Sequence, residues 1–173
     1  MDRYIAIKRI TRNAIMLAFL CVIGMFAVPL GDNIKLSLQL LLVFIIGLTA
    51  YSVFDAIIIT ALYLLIGLFL PVYAGFSVGI SPTFGYVISF VVIVILLYFL
   101  NKLKIKNSVI RMGIACVVSL IVCYAIGTAF FCWYLDMSFK NALFVSVYPY
   151  IPFDIIKIII AIIIVQLLIK KRT

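Results

Sequence analysis

Two ionisable residues interrupt an otherwise apolar stretch, YPYIPFDIIKIIIAIIIVQLL from Tyr148 to Leu168: Asp154 and Lys157. At i and i+3 on a helix the two side chains share one face. An ionised Asp only accepts hydrogen bonds, whereas a Lys ammonium only donates them. Side by side they suit a small polar ligand that carries N–H donors together with a carbonyl or anionic oxygen. A plainer role fits the same residues. Asp154, following a proline, can cap the first turn of a helix, and Lys157 can extend its amine to a polar interface. Residue types and spacing alone leave the two roles evenly matched.

The elements that must position this pair follow from the rest of the chain. Of 173 residues, 68% are apolar and 11% charged, whereas soluble domains are near half apolar and a quarter charged. Uncharged runs cover 13–31, 36–54, 56–101 and 112–135. A bilayer crossing takes about 20 apolar residues and must be helical, because lipid offers backbone amides no partner. The expected fold is therefore an all-α integral membrane bundle, a single domain over 1–173. It has six transmembrane helices, near 12–30, 36–53, 55–73, 83–101, 110–134 and 152–169. Between them, LPVYAGFSVGISPTFG (Leu70–Gly85) is rich in Gly and Pro and should be a shaped loop. A short interfacial helix is expected from about Ser138, with bends at Pro149 and Pro152 before the last span.

The net charge of +9 is a topology signal. Most basic residues fall in three groups: Arg3, Lys8, Arg9 and Arg12; Lys102, Lys104, Lys106 and Arg111; and Lys170, Lys171 and Arg172. A six-helix chain puts all three groups on one side, and basic residues concentrate in cytoplasmic loops. Both termini are expected in the cytoplasm, and nucleic acid is not an expected partner. No small-residue cleavage site stands near Met25–Asp32, so the first apolar segment is expected to be a mature helix and not a signal peptide. Gln39, the Gly/Pro loop and the Asp154/Lys157 pair then gather on the outer side.

Enzyme chemistry finds little to work with. With no His and no Glu, there is no HExxH zinc site and no Ser–His dyad. The five acidic residues are Asp2, Asp32, Asp55, Asp136 and Asp154, and no two share an obvious face within a span. No GxxxxGK[ST] loop is present, so any ATP must be bound by a partner. Cys21, Cys116, Cys123 and Cys132 lie inside expected spans without CxxC spacing, which argues for packing and against metal or disulfide use.

Several stretches resemble the BioY family, the biotin-binding S components of energy-coupling factor (ECF) transporters. YPYIPFDIIKIIIA (Tyr148–Ala161) is similar to the family signature L-P-F-x-P-G-D-[LI]-[IL]-K-x-x-x-A. SPTFGYVISF (Ser81–Phe90) resembles G-P-T-G-G-Y-[LIV]-x-G-F, and IKLSLQLLLVFIIGL (Ile34–Leu48) resembles V-P-[IL]-T-L-Q followed by an apolar helix. IGLFLPVYAG (Ile66–Gly75) is similar to L-G-x-x-G-L-P-V-F-A-G, and YAIGTAFFCWYLDMSFKNAL (Tyr124–Leu143) fits the segment before the signature. The motifs occur in the family's order. Lys35 stands in place of a Pro, Ser37 of a Thr, and Phe84 and Phe153 of Gly, while the 74–82 loop is shorter than the usual form.

The resemblance implies an S-component bundle in a bacterial cytoplasmic membrane, holding biotin near the outer face. It implies no cofactor in this chain and three kinds of partner: membrane lipid, a membrane coupling subunit, and a pair of ATPase subunits that use the ATP. Asp154 would accept N–H bonds from the ureido ring, with Lys157 on a ligand oxygen. Ser37 and Gln39 would line the lid side, Thr83, Gly85 and Tyr86 would shape the pocket from the fourth helix, and Tyr73 would pack on the ligand. Ala14 and Ala18, small residues four apart that allow close helix approach, would dock on the coupling subunit. For each site residue a structural role is the alternative: Gln39 bonding another helix, Tyr86 in an aromatic belt, Thr83 capping the fourth helix. Phe84 and Phe153 would narrow the pocket, which keeps a biotin relative or another small vitamin in view. A structural or assembly protein without ligand is the remaining alternative.

Overall fold

Among the described residues, seven helices and a short antiparallel strand pair follow in the order α1 (Asp2–Met25), β1 (Ala27–Pro29), β2 (Lys35–Ser37), α2 (Gln39–Thr49), α3 (Val53–Phe69), α4 (Phe84–Leu100), α5 (Ser108–Leu135), α6 (Phe139–Ser146) and α7 (Ile151–Lys170). The computed structural model describes residues 2–29 and 35–170. Asp32, Lys171 and Arg172 of the charge argument lie outside the described residues.

Local chemistry explains several boundaries. Ser52 caps α3 by accepting from the Phe54 amide at 3.3 Å. Asn107 caps α5 by accepting from Val109 and Ile110 at 2.9 and 3.3 Å. Asp136 ends α5 in the left-handed region at φ 49, where a short polar side chain is among the few tolerated.

α4 and α5 form the most extensive helix pair. Glycine allows it: a Cβ at Gly127 would collide with the Tyr86 ring, and one at Gly85 with Phe130. Leu20, Val43, Phe44, Ile46, Ile59 and Tyr63 fill the centre with at most 1% exposure.

The two ends of the bundle differ in character. At the end where the start of α1 meets the end of α7, polar contacts join helices. Arg9 and Asn13 of α1 donate to the two carboxylate oxygens of Asp55 on α3, each at 2.8 Å. Arg12 donates to the Thr49 carbonyl and hydroxyl at 2.7 and 2.8 Å, meeting the C-terminus of α2. At the opposite end lie the strand pair, the 70–83 loop and α6.

Three sequence expectations change. α1 begins at Asp2 and ends at Met25, not 12–30, because its early turns carry Arg9 and Asn13, which are matched by Asp55 of another helix. After Phe26 the chain forms an antiparallel strand pair, Ala27 with Ser37 and Val28 with Leu36, an element with no counterpart among the expected spans. α2 is 11 residues long, about 16 Å at 1.5 Å per residue, and occupies only part of 36–53. Among the described residues, two helices, α5 and α7, are long and apolar enough to cross a membrane, while α3 and α4, at 17 residues each, are shorter apolar helices. A short helix, α6, stands where the interfacial helix is expected, with Ser138 at its N-cap position.

Candidate ligand-binding site

α7 opens at Ile151, and by Asp154 its backbone already donates to the Tyr150 carbonyl at 2.9 Å. Asp154 therefore lies past the cap. Its side chain turns inward: Oδ1 accepts from Lys157 Nζ at 2.7 Å and Oδ2 from the Tyr124 hydroxyl of α5 at 2.6 Å. Asp154 is 3% and Lys157 6% exposed, so the lysine does not reach out to an interface. Capping and snorkelling are both replaced by a buried ion pair, which is tolerated only when its remaining polar positions find partners. Tyr124 supplies one of them. Sequence reasoning passed over it, because one tyrosine inside an apolar helix, distant in the chain from Asp154, carries no local signal.

This group forms one wall of a cavity of about 340 Å³, at the compact end of the range for small-molecule sites. Of the residues expected here, Ser37, Gln39, Tyr73, Thr83, Tyr86, Asp154 and Lys157 all line it. β2, α2, the 70–83 loop, α4, α5 and α7 thus each contribute to a single chamber. Gly85 does not line it; its role is to let the Phe130 ring approach α4. Phe84 and Phe153 are also absent from the lining. Phe84 points toward Phe130 and Tyr73, with ring centroids 6.0 and 6.1 Å away, so it stands behind Tyr73 and is not itself part of the chamber lining.

The polar lining is internally tied. Gln39 Nε2 donates to Tyr63 Oη at 2.6 Å and to the Gly24 carbonyl at 3.3 Å, and Tyr63 donates onward to the Val72 carbonyl at 3.0 Å. Gln39 thus bonds other helices and lines the chamber at once. Tyr73 lies in a wall of the 70–83 loop and donates to the Leu64 carbonyl at 2.6 Å. Tyr86 donates to Ser146 Oγ of α6 at 2.8 Å; it is an internal bridge and no belt aromatic. Thr83 makes no capping bond from its side chain and instead lies 3.2 Å from Ser81 Oγ. Ala14 and Ala18 do not line this chamber; they lie on an exposed flank of α1 beside Ile15, Phe19 and Val22. Among the described residues no group of three His, Cys, Asp or Glu side chains converges to hold a metal.

A buried acid–base pair within a helical bundle, facing a small chamber, also has relatives. The model of the BioY family matches residues 1–173. The chain belongs to the BioY family. Two BioY relatives align along nearly their whole length. A probable biotin transporter BioY of Pyrococcus horikoshii is 30% identical over 163 residues, covering 92% of this chain and 94% of the relative. The biotin transporter BioY of Thermotoga maritima is 26% identical over 159 residues, covering 89% and 91%. Among solved structures, the S-component for biotin from an ECF-type ABC transporter superposes with a TM-score of 0.84 at 26% identity, covering 98% of this chain and 95% of that one. Membership of the BioY family makes this a membrane-embedded transport protein with no reaction of its own to catalyse.

Proposed function

We propose that this chain is the substrate-capturing S component of an ECF-type importer, binding biotin in the chamber walled by Asp154, Lys157 and Tyr124. The observation that carries the proposal is the buried pair itself. Both charges face a chamber of vitamin size in a chain whose BioY relatives are described as biotin transporters. Asp154 keeps acceptor capacity for ureido N–H groups, Lys157 keeps N–H donors for a ligand oxygen, and Ser37, Gln39 and Thr83 line the same chamber. Tyr73 and Tyr86 shape the walls. The direct test is saturable binding of tritiated biotin to the chain purified in detergent. The absence of saturable binding would sink this assignment.

In the same proposal, α1, α3, α4, α5 and α7 cross the membrane, the short α2 makes the remaining crossing together with β2 and the chain that flanks it, α6 lies at the outer interface, and both termini are cytoplasmic. The basic residues Arg3, Lys8, Lys102, Lys104, Lys106 and Arg111 support that orientation, since they gather at one end. ATP is used by a pair of ATPase subunits joined through a membrane coupling subunit. Ala14 and Ala18 offer the docking face for that subunit: both are exposed on α1 and small enough for close helix contact. Ala14→Trp or Ala18→Trp is expected to abolish co-purification with the ATPases while leaving biotin binding within about twofold. Retained co-purification in both variants would place docking elsewhere.

A further inference from the structure

The hydrogens around Asp154 can be assigned. A carboxylate only accepts, so the 2.6 Å contact commits the single hydroxyl hydrogen of Tyr124 to Asp154 Oδ2. Oδ1 is taken by Lys157 at 2.7 Å. With both oxygens held from two different helices, α5 and α7, the carboxylate cannot swing about its χ2 bond without breaking a short contact. The phenolic oxygen of Tyr124 retains acceptor capacity, and the residue lines the chamber beside Asp154. Tyr86 is committed in the same way. Ser146 Oγ gives its own hydrogen to the Ala142 carbonyl at 2.8 Å, so Tyr86 is the donor in the 2.8 Å contact between them. This part of the wall therefore presents Asp154 and Tyr124 to a ligand as neighbouring acceptors.

We infer that Tyr124 is a specificity-determining residue: it fixes the Asp154 carboxylate in one orientation and adds its own oxygen as a second acceptor. The wall then selects a ligand ring with paired N–H donors over an isosteric ring bearing oxygen in their place. The inference rests on the biotin-type ligand proposed above. An acceptor facing another acceptor in a buried site goes unpaired, and sites built around ligand N–H or O–H groups reject analogues lacking them strongly.

The test uses the purified full chain, biotin, and the two cyclic carbamate analogues in which one or the other ureido N–H is replaced by oxygen. Dissociation constants are measured for the parent, Tyr124→Phe and Tyr124→His, with thermal midpoints as a folding control. The parent should prefer biotin to each carbamate by about 100-fold or more. Tyr124→Phe should lose about tenfold in biotin affinity, and its preference over at least one carbamate should shrink by about tenfold. Tyr124→His, whose neutral ring keeps one donor and one acceptor, should recover part of that preference. Equal weakening of biotin and both carbamates would show that Tyr124 only packs, and unchanged biotin affinity in both variants would overturn the inference as well. Should Tyr124→Phe fail to fold, a parent that binds biotin and the carbamates equally overturns it without any variant. A parent that binds no biotin removes the functional proposal itself, a result separable from every other because it needs no substitution.

Discussion

Asp154→Asn is expected to weaken biotin binding by roughly 30-fold to several thousand-fold. Truncating one member of a buried, hydrogen-bonded charge pair at a binding site costs about 2–5 kcal/mol, and each 1.4 kcal/mol is a factor of ten. The amide removes the anionic acceptor, replaces one oxygen with a donor facing either Tyr124 or Lys157, and leaves the 6% exposed lysine without its counter-charge. Part of the damage is structural, because an uncompensated buried ammonium destabilises the bundle in any state of loading. The double variant Asp154→Asn/Lys157→Met separates the two effects. It removes the stranded charge, so its thermal midpoint should recover toward the parent's, yet its biotin affinity should stay low. A double variant that binds biotin as the parent does would end the claim that this pair contacts the ligand.

Gly67→Ala should damage both stability and binding from outside the charged wall. A Cβ at that position collides with the Tyr73 ring, and the Gly67 carbonyl also accepts from the Gly79 amide at 2.8 Å. One residue of α3 therefore seats both limbs of the 70–83 loop. Displacing the ring breaks the Tyr73–Leu64 hydrogen bond and moves a side chain that lines the chamber. Overpacking of this kind costs about 1–3 kcal/mol, read as a lower thermal midpoint in detergent, and biotin affinity should fall with it. Tyr73→Ala removes the obstructing ring, so adding Gly67→Ala to it should cost much less than in the parent. Strict additivity of the two substitutions in a double-mutant cycle would mean that the collision is not the cause.

The parts of this molecule that were legible in the sequence are those written in local pattern. Apolar run lengths located five of the elements to within a few residues, and Ser138 marked the start of α6. Ordered motifs brought Ser37, Gln39, Tyr73, Thr83, Tyr86, Asp154 and Lys157 to one chamber. What escaped depends on distant pairing. Three-residue strands are too short to show alternation, so the strand pair was invisible. The early start of α1 is supported by Asp55, 46 residues from Arg9. Tyr124 gains its meaning only by meeting Asp154, 30 residues further on. Phe84 and Phe153 stand outside the lining for a related reason: a motif position says which residue stands near a site but not which way its side chain turns. Gly85 shows the same limit, since its smallness serves Phe130 and not the chamber.

α1 is fastened by hydrogen bonds near both ends; between them it packs Met16, Leu17, Leu20 and Cys21 inward and leaves the flank of Ala14, Ile15, Ala18 and Phe19 exposed. Arg9, Arg12 and Asn13 tie one end to α2 and α3. At the other, the Gly24 carbonyl receives Gln39 and the Met25 carbonyl receives the Gly75 amide at 3.0 Å. The helix thus acts as a strut. A contact made on its exposed flank therefore bears on a helix held by hydrogen bonds to α2 and α3 at one end and, at the other, to the loop that walls the chamber.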